Sequence, residues 1–260
     1  MKQIPNLFTL LNLVFGCMAI IFILQQGVTL LPLNSEGEII LMPLQLENTP
    51  EKIWLASLCI GLAAVIDFLD GFIARLFNAT SEMGKQLDSL ADVVSFGVAP
   101  GIILYQLLRI SFIQEEDGLD VTILALVPAL IFPAAAAWRL ARFNINDNND
   151  GDFKGVPSPA AGLFVASLPL IMFYNYFDVA VILLNKWVLY AIIILLSYLM
   201  VSKTSFIALK FTRATTKSNL PKIILAATAV IAAIFLKWLA VPVVFLVYVI
   251  LSLTTKKQLK

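Results

Sequence analysis

Long apolar segments run through almost the whole chain, and they constrain its fold more than any other feature of the sequence. Hydrophobic residues make up 60% of the 260 residues and charged residues only 13%, a balance far from that of a soluble domain. A helix needs about 20 mainly apolar residues to cross a bilayer. The sequence therefore predicts an all-α, polytopic integral membrane bundle of about eight transmembrane helices, at residues 5–25, 52–77, 84–112, 121–143, 158–178, 180–202, 220–237 and 239–255.

The Lys and Arg residues between these segments are unevenly distributed. Most of them fall in connections on one side of the predicted bundle, together with both termini, and only four fall on the other side: Lys52, Arg109, Lys186 and Lys237. Cytoplasmic connections of membrane proteins are enriched in Lys and Arg. We therefore expect an integral protein of the cell membrane, with both termini and the turn between the second and third segments in the cytoplasm.

Composition also excludes several classes of function. The chain contains no histidine, which rules out a Ser-His-Asp triad and a His-ligated zinc site. Its net charge of +1 gives no indication of a nucleic-acid partner.

We predict one compact unit, with a core of about six helices at residues 1–202 and two additional helices at residues 203–260.

Four aspartates interrupt this apolar background in the pattern D-x2-D-G-x2-A-R-x8-G-x3-D-x3-D. The first pair is spaced i, i+3 and the second i, i+4, so each pair lies on one face of its helix. If the second and third segments fold back near residues 79 and 80, the pairs face each other. An acidic residue at the centre of a membrane helix costs about 2.5–3.5 kcal/mol on insertion, so the group needs compensation. The group comprises Asp67, Asp70, Asp88 and Asp92.

An oxygen-only ligand set without His or Cys favours hard cations. Mg²⁺ and Mn²⁺ are the main candidates, with Ca²⁺ as a third, and a double pair of carboxylates suits two ions that bridge a diphosphate. The predicted ligands are all four aspartates, and Arg75 offers a planar fork for a phosphate. The alternative is that the acids pair with Arg75 and Lys85 and have only a structural role.

The same positions resemble the signature of the CDP-alcohol phosphotransferase family. The resemblance implies a membrane enzyme that transfers a phosphatidyl or phospho-alcohol group from a CDP-linked donor to an acceptor hydroxyl and releases CMP. It also implies that Asp92 is the general base, that the other three aspartates hold the metal with Asp92 close by, and that small residues line the nucleotide site. The matching residues are Asp67, Asp70, Gly71, Ala74, Arg75, Gly84, Asp88 and Asp92.

Four further segments resemble the phosphatidylserine synthase branch of this family. They are residues 4–9, 95–100, 138–144 and 153–162. The resemblance implies CDP-diacylglycerol as the donor and L-serine as the acceptor, and membership of the family suggests a homodimer.

These segments contribute the remaining candidate site residues. Arg139 and Arg142 are spaced i, i+3 at the end of the fourth segment and are candidates for binding the carboxylate of an amino acid or a donor phosphate. Arginines at a helix end are also common as membrane anchors. Asn144 and Ser95 are further acceptor-binding candidates, as is Ser158, for which we favour the role of a helix cap.

Two polar residues lie one turn apart at the start of the first segment. Asn6 and Thr9 are equally suited to a phosphate of the donor and to a neighbouring helix.

Two alternatives remain open at the level of sequence. Within the same chemistry, the acceptor is glycerol 3-phosphate or an inositol phosphate, for which Lys203, Lys210 and Arg213 would supply additional positive charge. In a different class, the chain is a cation channel or transporter whose acids line an ion path. That alternative predicts acids spread through the depth of the membrane, whereas these acids cluster near one end.

Overall fold

The computed structural model describes residues 4–25, 52–76, 81–113, 121–146, 155–207 and 216–255. Helices account for nearly all of these residues, and no β-strand occurs among them, so the predicted all-α class is confirmed. The elements are α1 (Ile4–Leu24), α2 (Ile53–Leu76), α3 (Glu82–Asp92), a π-helical turn (Val93–Val98), α4 (Ala99–Ile113), α5 (Ile123–Leu126), a 3-10 turn (Val127–Leu130), α6 (Ile131–Asn146), α7 (Ser158–Tyr174), α8 (Ala180–Leu183), α9 (Lys186–Val201), α10 (Thr216–Leu236), a second 3-10 turn (Lys237–Leu239) and α11 (Ala240–Thr255).

Five helical segments in the described part of the chain are long and apolar enough to cross a membrane. The shorter apolar helices α7 and α9 coincide with the fifth and sixth predicted segments. The seventh and eighth predicted segments fall within one apolar stretch, which the second 3-10 turn divides into α10 and α11. These are the helices of an integral membrane protein, and the count of eight stays a prediction. The five segments are Pro5–Leu24, Ile53–Ile73, Glu82–Ile113, Ile123–Ile145 and Leu220–Thr254.

The helices approach one another closely where small residues face a neighbouring backbone. α1 packs against both α2 and α3, and α6 packs against α9. A Cβ atom on Gly162 of α7 would lie 2.9 Å from the carbonyl oxygen of Phe96, and one on Gly101 would lie 2.8 Å from Pro133. Both glycines therefore allow contacts that a larger residue would prevent.

Aromatic side chains gather at one end of the bundle. Trp54 stacks on Phe173 with ring centroids 5.7 Å apart, and Tyr174 stacks on Trp238 with centroids 6.4 Å apart. The ammonium group of Lys237 lies 3.3 Å from the centroid of another ring in this group. Aromatic belts of this kind are typical of a membrane interface. The four aspartates lie toward the opposite end of the bundle.

The last two helices are joined to the rest of the bundle. The positive φ of Lys237, 51°, marks the turn between α10 and α11, which pack against each other. Phe245 of α11 contacts Phe164 of α7, with ring centroids 5.1 Å apart, and Tyr248 stacks on Phe206 with centroids 5.9 Å apart. The division of the chain at residue 202 is not tested by these contacts and stays a prediction.

We expect Gly162→Ala to destabilise the protein, because its new methyl group would meet a backbone carbonyl that cannot move without shifting the helix. Forced overpacking of this kind costs about 1–3 kcal/mol. The matched control is Gly61→Ala in α2, where a Cβ atom meets nothing within 4 Å. This control should be neutral or stabilising by up to about 1 kcal/mol. Thermal unfolding in detergent measures both, and equal melting temperatures for the two variants would contradict the close contact between α7 and the π-helical turn.

Candidate active site

The aspartate side chains converge at one end of the bundle. One carboxylate oxygen from each of Asp67, Asp70 and Asp88 lies within 4.8 Å of the other two. The carboxyl group of Asp92 is within hydrogen-bonding reach of Asp67. Asp70 and Asp92 are only 5% and 7% exposed. The predicted convergence of the two pairs is therefore confirmed.

The first turn of α3 is fixed by an N-cap hydrogen bond and by a close contact at a glycine, and it thereby positions Asp88 and Asp92. Ser81 is the N-cap residue, and its hydroxyl accepts a hydrogen bond of 3.0 Å from the backbone N–H of Gly84. A Cβ atom on Gly84 would lie 3.0 Å from the side-chain oxygen of Asn6. The missing side chain thus lets α1 approach the first turn of α3, one turn before Asp88.

Helix α1 supplies hydrogen-bond donors to the carboxylates. The hydroxyl of Thr9 donates to Asp70 Oδ2 at 2.9 Å. One turn further along α1, the amide Nδ2 of Asn12 donates to Asp92 Oδ1 at 3.4 Å. Thr9 is among the residues predicted from the sequence, whereas Asn12 is not. The signal was present, because Asn6, Thr9 and Asn12 recur every three residues on one face of α1.

The helix after Asp92 is not a regular α-helix. Residues Val93–Val98 form a π-helical turn, in which the N–H of Ala99 bonds to the carbonyl of Val94. Within it, the buried hydroxyl of Ser95 donates to the backbone carbonyl of Asn12 at 3.1 Å. Single π-helical turns occur frequently at functional sites. Through the bond of Ser95, this turn connects α1 to α3, the helix on which Asp92 lies.

Arg139 is a buried cation on α6, which packs against the π-helical turn that follows Asp92. Its side chain is only 7% exposed, and its Nη1 donates to the hydroxyl of Ser158 at 3.2 Å. The charge of Asp92 acts on this guanidinium group. Its Nε has no hydrogen-bond partner among the described residues. The buried cation therefore keeps one donor that a bound anion can use.

The expected helix-cap role of Ser158 is wrong. Pro157 occupies the N-cap position of α7, and no side chain caps that helix. The hydroxyl of Ser158 accepts the bond from Arg139 instead, so its function is to hold the arginine.

Arg142, one turn after Arg139, makes different contacts. Its Nη2 donates to the carbonyl of Val201 at 2.9 Å and its Nη1 to the carbonyl of Ser202 at 3.5 Å. These carbonyls lie at the end of α9, where they have no partners within the helix and where positive charge is favourable. Arg142 therefore ties α6 to α9.

Asn144 joins α6 to α3. Its Nδ2 donates to the hydroxyl of Ser89 at 2.8 Å. Ser89 directly follows Asp88 in the chain. The Oδ1 of Asn144 is buried and has no partner among the described residues.

The other candidate residues are only partly covered by the described structure. A Cβ atom on Gly71 would meet nothing within 4 Å, so there is open space beside Asp70. Lys203 is exposed, whereas Lys210 and Arg213 lie outside the described residues. The side chains of Ala74 and Arg75 also lie outside what the structure describes.

The carboxylate cluster fits a divalent cation. Asp88 Oδ1 is buried and has no hydrogen-bond partner within the described part of the chain. An unpartnered buried carboxylate oxygen is costly unless a cation or a donor reaches it. Together with the closely spaced oxygens of Asp67 and Asp70, it supplies the all-oxygen ligand set that Mg²⁺, Mn²⁺ and Ca²⁺ prefer.

Almost the whole chain matches one known protein family. The sequence model of the family described as "CDP-alcohol phosphatidyltransferase" matches residues 2–255. The chain is 38% identical over 130 residues to the CDP-diacylglycerol–serine O-phosphatidyltransferase of Mycobacterium leprae, which is 47% of this chain and 39% of the relative. It is 36% identical over 153 residues to the protein of the same name from Bacillus subtilis, covering 58% of this chain and 73% of the relative.

A third relative carries a different name. The chain is 32% identical over 136 residues to the archaetidylserine synthase of Methanothermobacter thermautotrophicus, covering 52% of this chain and 54% of the relative. The chain thus spans about half the length or less of the relatives from Mycobacterium leprae and Methanothermobacter thermautotrophicus.

We expect Asp88→Asn and Asp70→Asn each to weaken the binding of Mn²⁺ by at least tenfold, because each removes a charged ligand from the cluster. Electron paramagnetic resonance of Mn²⁺ titrated into purified protein measures this. The matched control is Asp178→Asn, at the aromatic end of the bundle. Asp178 has a φ of 51°, a conformation that asparagine also adopts. Equal Mn²⁺ affinity in the Asp88 and Asp178 variants would contradict a metal site in the cluster.

Proposed function

Because this chain belongs to the CDP-alcohol phosphatidyltransferase family, we propose that it transfers the phosphatidyl group of CDP-diacylglycerol to the hydroxyl of L-serine, giving phosphatidylserine and CMP. The observation that carries this proposal is the position of one buried cation, Arg139, near Asp92 at the edge of the carboxylate cluster. A site for serine needs a base for its hydroxyl and a cation for its carboxylate. The names of the relatives from Mycobacterium leprae and Bacillus subtilis support the same donor and acceptor.

The reaction is an in-line displacement at the phosphorus that carries diacylglycerol. The hydroxyl oxygen of serine forms a bond to this phosphorus while the bond to the oxygen of CMP breaks. Asp92 accepts the proton of the hydroxyl, because it is buried and is the carboxylate that interacts with Arg139. No covalent enzyme intermediate is needed.

Asp67, Asp70 and Asp88 would hold one or two divalent cations, with Asp92 close by. Mg²⁺ or Mn²⁺ fits this ligand set, and Ca²⁺ is a further candidate. When bound, such ions polarise the diphosphate and stabilise the charge that develops on the leaving CMP. The hydroxyl of Thr9 holds Asp70 in place through its 2.9 Å bond.

The nucleotide and diphosphate would lie along the ends of α2 and α3. A Cβ atom on Gly71 would meet nothing within 4 Å, so its backbone is open to a ligand, and Gly84 lets α1 approach α3 there. Ala74 would complete this surface, and Arg75 and Asn6 would contact the phosphates.

Arg139 would bind the carboxylate of serine through its unpartnered Nε. Ser158 accepts a hydrogen bond from Arg139, Ser95 donates to the backbone of Asn12, and Asn144 donates to Ser89 and keeps an unpartnered buried Oδ1. All three stay candidates for contact with the acceptor. A phosphorylated acceptor such as glycerol 3-phosphate needs more than one nearby cation. Arg142 is already engaged with the carbonyls at the end of α9, so it does not add to the charge of Arg139, and this supports serine as the acceptor.

The remaining features of the proposal concern the membrane. We place the protein in the cell membrane with about eight spanning helices, both termini in the cytoplasm and the carboxylate cluster at the cytoplasmic face. A homodimer is part of the proposal on the strength of the family alone.

We expect Asp92→Asn to lower turnover by about 10²–10⁴-fold, because the amide cannot accept the proton of the hydroxyl. The assay follows CMP release from CDP-diacylglycerol in the presence of L-serine and Mg²⁺ or Mn²⁺, and identifies the lipid formed. Chelation with EDTA should abolish the activity, and the metal should restore it. Asp178→Asn again serves as the control and should keep full activity.

Normal turnover in Asp92→Asn would remove this residue from the role of base. If the wild-type protein makes no phosphatidylserine but uses another alcohol from a panel, the choice of acceptor is wrong. Ion flux in proteoliposomes that persists without Asp92 would instead favour the channel.

We expect the two arginines of α6 to behave differently when each is changed to methionine. Arg139→Met should raise the KM for serine by roughly 10–100-fold, because a charged hydrogen bond to the carboxylate is lost. Arg142→Met should lower the melting temperature, because the carbonyls at the end of α9 lose their donors, and should change the KM for serine little. Steady-state kinetics and thermal unfolding of both variants check this, and a matching KM increase in both would argue against the separate roles.

A further inference from the structure

Asn12 is a fully buried polar residue in the wall of the proposed acceptor site. It lies on α1, one turn beyond Thr9, with no exposed surface. Its Nδ2 donates to Asp92 Oδ1 at 3.4 Å. Its Oδ1 has no hydrogen-bond partner among the residues that the structure describes. A buried amide oxygen without a donor is unfavourable, so a partner for it is expected.

The orientation of this amide follows from its neighbour. Turning the group over would place its oxygen against the carboxylate of Asp92 and leave two acceptors facing each other. The backbone of Asn12 is held as well, because the hydroxyl of Ser95 donates to its carbonyl at 3.1 Å. Gly16 lies against Ser95, where any side chain would collide with that hydroxyl. The unpartnered oxygen is therefore fixed beside Asp92.

The position of this oxygen matches one group of the proposed acceptor. The hydroxyl and the ammonium group of L-serine are carried on adjacent carbons, so a residue that binds the ammonium must lie directly beside the base that receives the hydroxyl proton. Asn12 shares a hydrogen bond with that base. An ammonium group is also a donor without acceptor capacity, which is the complement of a free amide oxygen.

We propose that the side-chain oxygen of Asn12 accepts a hydrogen bond from the α-ammonium group of L-serine and so selects an amino-acid acceptor. This inference rests on the proposed function. Serine is then held at three points: the hydroxyl at Asp92, the carboxylate at Arg139 and the ammonium at Asn12. An acceptor without an amino group leaves the oxygen of Asn12 buried and unpaired.

The experiment compares two acceptors, L-serine and 3-hydroxypropionate, which keeps the hydroxyl and the carboxylate but lacks the ammonium group. CMP release from CDP-diacylglycerol gives kcat/KM for each. In Asn12→Leu, we expect kcat/KM for serine to fall by roughly 10–100-fold, the value of a hydrogen bond to a charged group. The value for 3-hydroxypropionate should fall much less. The control is Thr9→Val on the same face of α1, which should affect both acceptors by the same factor.

Several results would overturn the inference. Equal losses for both acceptors in Asn12→Leu would mean that Asn12 acts only by orienting Asp92. Equal use of both acceptors by the wild-type protein would mean that no ammonium site exists, a result that needs no variant. If 3-hydroxypropionate gives no measurable rate, the kinetics of serine in Asn12→Leu decide: a raised KM supports the inference, and a lowered kcat with unchanged KM overturns it.

The proposed function fails separately from this inference. Its failure is an absence of serine-dependent CMP release in the wild-type protein, whatever the variants do. Bound Mn²⁺ and the elution volume in size-exclusion chromatography show that each variant is folded before its kinetics are compared.

Discussion

The clustering of four carboxylates, two buried and two half-buried, at one end of an apolar helix bundle is the constraint on which the rest of the structure depends. Each of them loses hydration, and together they repel one another. Helix α1 supplies part of the compensation, because Thr9 and Asn12 donate to one aspartate from each pair. The first helix is therefore part of the site as well as a membrane span, and its packing against α2 and α3 follows from that role.

The convergence of the aspartates could be predicted because it depends on helix geometry alone. Spacings of three and four residues define a face, and near-equal distances from the turn bring two faces together. The partner of Asp92 could not be found in this way. Asn12 lies 80 residues away from it, and a lone asparagine in an apolar helix shows a polar face without showing what that face meets. The residue that this polar face contacts is known only from the packing of α1 in the structure.

The π-helical turn after Asp92 was not predicted, although the sequence S-F-G-V-A-P contains a physical reason for it. Pro100 has no N–H to donate back along the helix, so the hydrogen-bonding pattern just before it is weakened. The wider turn and the absence of a side chain on Gly162 let α7 approach the backbone of Phe96. Irregular backbone is tolerated inside a membrane protein only where protein or a cavity surrounds it, and here α1, α6 and α7 surround it.

Arg139 and Arg142 show why residue type and spacing do not assign a function by themselves. Both lie in the second half of α6, one turn apart, and from sequence they form a single candidate pair. In the fold, two carbonyl oxygens at the end of α9 accept hydrogen bonds from Arg142. A single serine hydroxyl accepts one from Arg139. A guanidinium group satisfied by protein carbonyls holds two helices together. One that is buried near a carboxylate with a free nitrogen is available to a ligand, so the same side chain serves the architecture at one position and the proposed chemistry at the other.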